Sequence, residues 1–201
     1  IHDQQSNLVK DCIRILYVGQ ITRNKNVETV ISVSGELDRR GYPTEVCIVG
    51  DGPDAKRVQG IARRSCTPVR MAGRVDAKPE LMEFYRGSSV FVMPSFTETF
   101  GLAYIEAMSQ GLPVIFSRGQ GIDGFFKDGD IGYACDSRDR REMASRIIDI
   151  MGCLSEMSRR CTNAVQRFSW SRIVKEYMDI YVAAEKETGY PSAINLDSDQ
   201  T

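Results

Sequence analysis

The sequence predicts an α/β fold built on a doubly wound parallel sheet. Three observations carry that expectation. Short runs with near-continuous apolar cores, rather than strict alternation, recur along the chain, as in RILYVG (14–19), TEVCIVG (44–50) and VFVM (90–93). Segments with apolar residues at helical spacing separate these runs. Glycine or proline punctuates most of the junctions. Buried strands joined by helices form a parallel sheet with helices on both faces.

Residues 14–19 read as the first strand. Residues 26–40 follow as a helix, with Val27, Val30, Ile31 and Leu37 on one face and Gly41 at its end. Residues 44–50 form the second strand, and 54–64 a helix with Pro53 suited to its first position. A short strand over 69–72 precedes a helix over 79–86. Pro94 ends the strand 90–93, and Gly111 ends the helix 102–110; a strand over 113–117 comes next. A loop holding Gly119, Gly121, Gly124, Gly129 and Gly132 leads into a short strand over 131–134. Helices over 140–151, 155–168 and 171–185 finish the fold, the last with Ile173, Tyr177, Ile180, Tyr181 and Ala184 on one face. The pattern is Rossmann-like. Ligands of such sheets bind beyond the carboxyl ends of the strands. The loops 20–25, 50–52, 72–76, 95–101 and 117–124 all leave that edge and should line one crevice. The domain is read as 13–185, and 186–201 as a polar tail, solvated or disordered.

Composition narrows the function. The 201 residues hold 26 Lys plus Arg against 27 Asp plus Glu, a formal charge of -1, with 42% hydrophobic residues. One substantial core is feasible. The balanced charge argues against a nucleic-acid binder. No apolar run reaches the roughly eighteen residues of a transmembrane helix, and no charged-then-apolar leader opens the residues given. The single histidine, His2, stands near the start. That excludes Ser-His-Asp and Cys-His nucleophile systems inside the fold, and a His-containing zinc site with them. The six cysteines include no pair at short metal-ligand spacing, and Cys47 lies within an apolar run. They are expected to be reduced, structural thiols of a cytosolic protein.

Four features can carry chemistry. Gly50-Asp51-Gly52-Pro53 follows a strand and opens a helix, where a phosphate or nucleotide can approach the backbone. It lacks the third glycine and the downstream acid of a dinucleotide fingerprint, and a plain tight turn explains it as well. Gly101 starts the next helix but one, so the amides of Phe100, Gly101 and Leu102 could cradle a diphosphate. Glu98 precedes that helix and Glu106 lies one turn inside it. Carboxylates accept from vicinal sugar hydroxyls through both oxygens. Equally, Glu98 could be a solvated charge at a helix start, or the pair could be the acid and nucleophile of a glycosidase. Lys25, in the loop after the first strand, could neutralise charge on a departing phosphate, or be merely solvated.

Taken together, these residues resemble the C-terminal domain of a GT-B glycosyltransferase in the large retaining group numbered family 4, the glycosyl transferases group 1. The blocks are YVGQITRNKNVETVI (17–31), IVGDGPDAKRV (48–58), the stretch 71–115 containing PSFTETFGLAYIEAMSQGLPVI, and GIDGFFKDGDIGY (121–133). They appear in order across about 15–181, and the third holds two glutamates separated by seven residues, the group's signature. The resemblance implies a nucleotide diphosphate sugar as donor substrate, with no cofactor and no bound metal. It implies that Glu98 contacts the donor sugar and Lys25 assists at the diphosphate, these two being the catalytic candidates. Glu106 would hold the ribose, the amides of Phe100, Gly101 and Leu102 the diphosphate, and Gly50, Asp51, Arg74 and Val75 would flank the nucleoside. The group often has Arg five residues before the lysine; here Gln20 stands there, and Arg23 or Arg118 is the available substitute. The fourth block is closer to a capsule- and polysaccharide-type subset. GT-B enzymes react between two domains, so residues 1–12 are read as a linker from an N-terminal domain missing from this chain. The implied activity is transfer of a hexose to a saccharide or lipid-linked acceptor, cytoplasmic or peripheral at the membrane in the full-length enzyme, with the fragment alone inactive. A binding module with a degenerate nucleotide site, or a glycoside hydrolase using Glu98 and Glu106, remains the alternative.

Overall fold

A computed structural model describes residues 12–168 and residue 178. Residues 1–11 of the linker reading, His2 among them, the helix 171–185 apart from Met178, and the tail 186–201 lie outside the described residues. The chain divides into two compact units, Ile1–Ala164 and Val165–Thr201. The described part of the second is Val165, a 3-10 turn at Gln166–Phe168, and Met178.

The first unit is built on one six-stranded parallel sheet. Its strands are β1 (Ile13–Val18), β2 (Thr44–Val49), β3 (Val69–Gly73), β4 (Val90–Met93), β5 (Val114–Ser117) and β6 (Gly132–Cys135). Their spatial order is β3-β2-β1-β4-β5-β6, as expected for a doubly wound, Rossmann-like sheet. β1 and β2 pair along their whole length, from Ile13 opposite Thr44 to Val18 opposite Val49. β4 joins the other side of β1 at Ile15 opposite Val90. β4 and β5 are fully buried, which explains their unbroken apolar runs, whereas the edge strand β3 is half-exposed.

The helices are α1 (Val27–Arg39), α2 (Ala55–Ala62), α3 (Lys78–Arg86), α4 (Leu102–Ser109), α5 (Arg140–Gly152) and α6 (Leu154–Val165). Right-handed crossovers place α1 and α2 on one face and α3 and α4 on the other. α5 returns to the first face and packs on α1. On the opposite face an aromatic row ties helix to sheet. Tyr85 of α3 lies 5.9 Å from Phe91 of β4, Phe91 lies 5.6 Å from Tyr104 of α4, and Tyr104 lies 6.1 Å from Phe116 of β5.

Most element ends fall within one residue of the sequence expectation, and three helices show larger or physically informative differences. The first helix starts at Val27, because Asn26 adopts a left-handed conformation (φ 52°, ψ 41°) after a 3-10 turn at Arg23–Lys25. Asn is among the few non-glycine residues that tolerate this region. The helix expected over 54–64 is shorter, with Asp54 at its N-cap. The helix expected over 155–168 is α6 followed by the 3-10 turn, a common way for a helix to tighten at its end. All six cysteines are free thiols: Cys135 and Cys161 are buried, which pushes each up to about 12, and Cys12 and Cys66 are exposed.

Candidate functional site

The strand order reverses direction between β1 and β4. The chain leaves β1 toward β2 but leaves β4 toward β5, so the loops beyond these two strands diverge and open a crevice. Lys25 follows β1 and Glu98 follows β4. Their side chains meet across this point, Lys25 Nζ donating to Glu98 Oε2 at 2.5 Å. The two side chains are 23% and 12% exposed, so the pair is screened less than a surface bridge.

The turn carrying Lys25 is stitched to the loop carrying Glu98 by its two asparagines. Asn24 O accepts from Phe96 N at 2.8 Å, and Asn24 Nδ2 donates to Thr97 O at 2.7 Å. Buried Asn26 donates from Nδ2 to Pro94 O at 3.2 Å and to Ser137 O at 2.7 Å, while its Oδ1 accepts from Thr29. On the far side the β5–β6 loop holds Glu98 by its backbone. Gly121 N donates to Glu98 O at 2.9 Å, and Gln120 Oε1 accepts from Glu98 N at 3.0 Å. Two buried phenols lie near the carboxylate. Tyr17 donates to Gln20 O and Tyr104 to Met93 O, and burial, then the charge of Glu98, pushes both phenols well above their ordinary range. They stay neutral donors at any working pH.

Gly101 caps α4 in a left-handed conformation (φ 79°, ψ 75°), and a Cβ there would lie 2.6 Å from the Tyr104 ring. No side chain caps this helix start. The N–H groups of Leu102 and Ala103 have no carbonyl one turn back within the helix, and the positive end of the dipole sits there. Glu106, one turn in, accepts from Tyr85 Oη at 3.1 Å. The two glutamates are thus anchored separately, Glu98 on a lysine and Glu106 on a phenol.

Beside this cluster lies a cleft of about 620 Å³ over the ends of β1, β2 and β3. Gln20, Gly50, Asp51, Arg74, Val75 and Leu81 are among its lining residues. Its floor depends on a close backbone approach. Gly50 has φ 138°, and a Cβ there would lie 1.9 Å from Gly19 O. Ile21 N bonds Asp51 O at 2.9 Å and Asp54 N bonds Ile21 O at 3.1 Å, locking the two loops together. Arg74 Nε pairs with Asp76 at 2.7 Å at the exposed rim.

All ten candidate residues therefore lie on one edge, in two adjoining groups. Gly50, Asp51, Arg74 and Val75 line the cleft; Lys25, Glu98, Phe100, Gly101, Leu102 and Glu106 form the cluster around the start of α4. Gln20 lines the cleft and brings no charge to it. Arg118, 58% exposed, pairs with Glu142 at 2.5 Å. Arg23 is 85% exposed, with Asp54 at 3.9 Å. Sequence reasoning missed Asn24, Asn26, Tyr85 and Gln120. Asn before a helix start is a readable signal for a left-handed residue; nothing local marks the other three. A second cleft of about 410 Å³, lined by Arg14, Glu45, Arg70 and Phe84, contains none of the candidate residues. Among the described residues no three His, Cys, Asp or Glu side chains gather as a metal site. No helix among them is long and apolar enough to cross a membrane.

Comparison with known proteins bears on the family and the fold. The chain is 28% identical over 183 residues to a glycogen synthase of Mycobacterium tuberculosis (strain CDC 1551 / Oshkosh), covering 88% of this chain and 44% of that protein. It is 27% identical over 186 residues to a D-inositol 3-phosphate glycosyltransferase of Paenarthrobacter aurescens, covering 85% and 44%. The chain spans under half the length of these curated relatives. Its fold superposes on a sucrose-phosphate synthase from Thermosynechococcus elongatus with a TM-score of 0.74 at 25% identity, covering 89% of this chain and 47% of that one. Residues 1–168 match the family described as Glycosyl transferases group 1, and the chain belongs to that family.

Proposed function

We propose that this chain is the donor-binding half of a retaining GT-B glycosyltransferase that moves a hexose from a nucleotide diphosphate sugar to a saccharide or lipid-linked acceptor. The observation that carries the reading is the Lys25–Glu98 pair at the switch point, set between an uncapped helix start and a nucleoside-sized cleft. The nucleoside lies in the cleft against Gly50, Asp51, Arg74 and Val75. Its ribose hydroxyls donate to Glu106. The diphosphate sits on the amides of Phe100, Gly101 and Leu102, and Lys25 meets its charge. Glu98 accepts from the sugar hydroxyls.

Transfer breaks the bond between the sugar's anomeric carbon and the diphosphate oxygen, and forms one to the acceptor oxygen. The electron pair leaves with the diphosphate. Fixed positive charge at that oxygen lowers the barrier, which is the part Lys25 and the start of α4 play. The reaction so described calls for no metal and no cofactor.

An N-terminal domain preceding residue 1 supplies the acceptor side, with residues 1–12 as linker and 13–185 as the donor domain. The exposed large apolar side chains Phe96, Leu102 and Phe125 all border this edge, and a covering domain would bury them. One wall alone cannot orient an acceptor, so residues 1–201 bind donor without turnover. A cytoplasmic setting, with cell-surface polysaccharide as product, fits nucleotide-sugar use. Family membership favours transfer over glycoside hydrolysis. A degenerate binding module is the surviving second reading, and the uncharged Gln20 in the cleft favours it.

Chemical-shift mapping separates these readings. Titration with UDP, GDP and ADP is expected to move the amides of Gly50, Asp51, Val75, Gly101 and Leu102 with one of the three. Shifts scattered elsewhere, or none, would remove the donor-site reading.

A further inference from the structure

Glu98 belongs to a loop without secondary-structure pairing, yet its carboxylate must be held to within a fraction of an ångström to discriminate one sugar from another. The backbone just before it is fixed from the turn at Asn24, which bonds Phe96 N and Thr97 O. The Glu98 residue itself is held from the opposite side. Its carbonyl accepts from Gly121 N, and its own N–H donates to the side chain of Gln120 at 3.0 Å.

Gln120 is well placed to give orientation. It is half-buried, and its backbone is fixed inside a folded loop: Gln120 N bonds Ser117 O at 3.1 Å, Asp123 N bonds Gln120 O at 3.1 Å, and the Asp123 carboxylate accepts from Gly119 N at 2.5 Å. The loop in turn hangs from β5, next to β4 in the sheet. A chain of short, directional contacts therefore runs from the core strand through Gln120 to the N–H of the residue proposed to hold the sugar.

We infer that Gln120 is a positioning residue: it sets the reach of Glu98 toward the donor sugar and so governs recognition of the sugar, not of the nucleoside diphosphate. The inference rests on the donor-site reading above. The nucleoside contacts lie over β1–β3 and the diphosphate contacts at the start of α4, and the bonds of Gln120 to Glu98, Ser117 and Asp123 include none of them. Losing this side-chain acceptor leaves the Glu98 N–H unmatched in a half-buried place and lets the loop relax.

The test compares two ligand types on three forms of the whole chain. Wild type, Gln120→Met and Gln120→Glu are titrated calorimetrically with UDP, ADP and GDP, and with UDP-glucose, ADP-glucose and GDP-mannose. Gln120→Met keeps the side-chain volume and removes the acceptor; Gln120→Glu keeps both. For the nucleotide that binds, Gln120→Met is expected to weaken the sugar conjugate roughly tenfold, the size of one lost hydrogen bond to a site residue, and to leave the bare diphosphate within about twofold. Gln120→Glu is expected to recover part of the sugar-conjugate affinity. Unchanged sugar-conjugate binding in Gln120→Met would overturn the inference. Equal losses for both ligands, with a lowered melting temperature, would overturn it in favour of a plain folding role. If wild type binds none of the six ligands, the donor-site reading itself fails and carries this inference with it.

Discussion

Lys25 and Glu98 are 73 positions apart in sequence, and their side chains meet at 2.5 Å, one beyond β1 and the other beyond β4. Without a ligand each neutralises the other. In the proposed donor complex a nucleotide sugar would give both a new partner, the diphosphate for Lys25 and hydroxyls for Glu98. A bare diphosphate satisfies only the lysine and sets its own charge against the carboxylate.

Glu98→Gln therefore separates the two ligands. Removing the negative charge is expected to tighten a bare nucleoside diphosphate several-fold and to weaken the intact nucleotide sugar roughly tenfold, given the strength of hydrogen bonds to charged groups. Calorimetric titration of both ligands reads this directly. Parallel loss of both would mean the carboxylate does not face the sugar.

Lys25→Met removes the cation proposed to meet the diphosphate. A loss of about 2 kcal/mol is expected, roughly thirtyfold in affinity, for the nucleoside diphosphate. The unphosphorylated nucleoside should bind as before, if weakly. The same titration on both ligands checks the contrast.

Gly50→Ala tests the cleft floor. A methyl group 1.9 Å from Gly19 O forces the two loops apart, at a position with φ 138°. A stability loss of about 3 kcal/mol or more is expected from the overpacking and backbone strain combined. Urea unfolding measures it, and shift mapping should show the Gly19 and Ile21 amides displaced.

Glu36 gives a pH-dependent check on the packing of α1. Hydrogen bonds from Arg40 first, and also from Arg39, hold this carboxyl below its ordinary value of 4.5. A depressed carboxyl stabilises the fold above its unfolded value, and that contribution fades as pH falls through the folded one. Glu36→Gln should therefore melt below wild type at pH 7, and the gap should narrow as the pH falls below 4.5 toward the lowered folded value. A gap that stays constant with pH would mean the arginines contribute nothing through this charge.

The strand–helix rhythm, the parallel sheet and the edge that gathers the candidate residues were legible because each is written in local periodicity. Val92 and Ile115 sit in fully buried strands, and only such strands read as unbroken apolar runs. The pair of glutamates and Lys25 were legible because residue type and loop position suffice to nominate them. The supports were not. Tyr85 reaches Glu106 from another helix, 21 positions away, and Gln120 reaches Glu98 from 22 positions away. Such partners are chosen by tertiary packing, and nothing in a local window records them. The Arg118–Glu142 pair, formed from 24 positions away, was equally invisible to a local reading.

The most direct measurement is the binding of UDP, GDP and ADP to the chain and to its Glu106→Ala variant by isothermal titration. One of the nucleotides is expected to bind wild type at a single site, and the variant to bind it at least about tenfold more weakly, as loss of a charged acceptor from the ribose requires. Failure of all three to bind, or equal binding by Glu106→Ala, would contradict a nucleotide-sugar donor site at this edge.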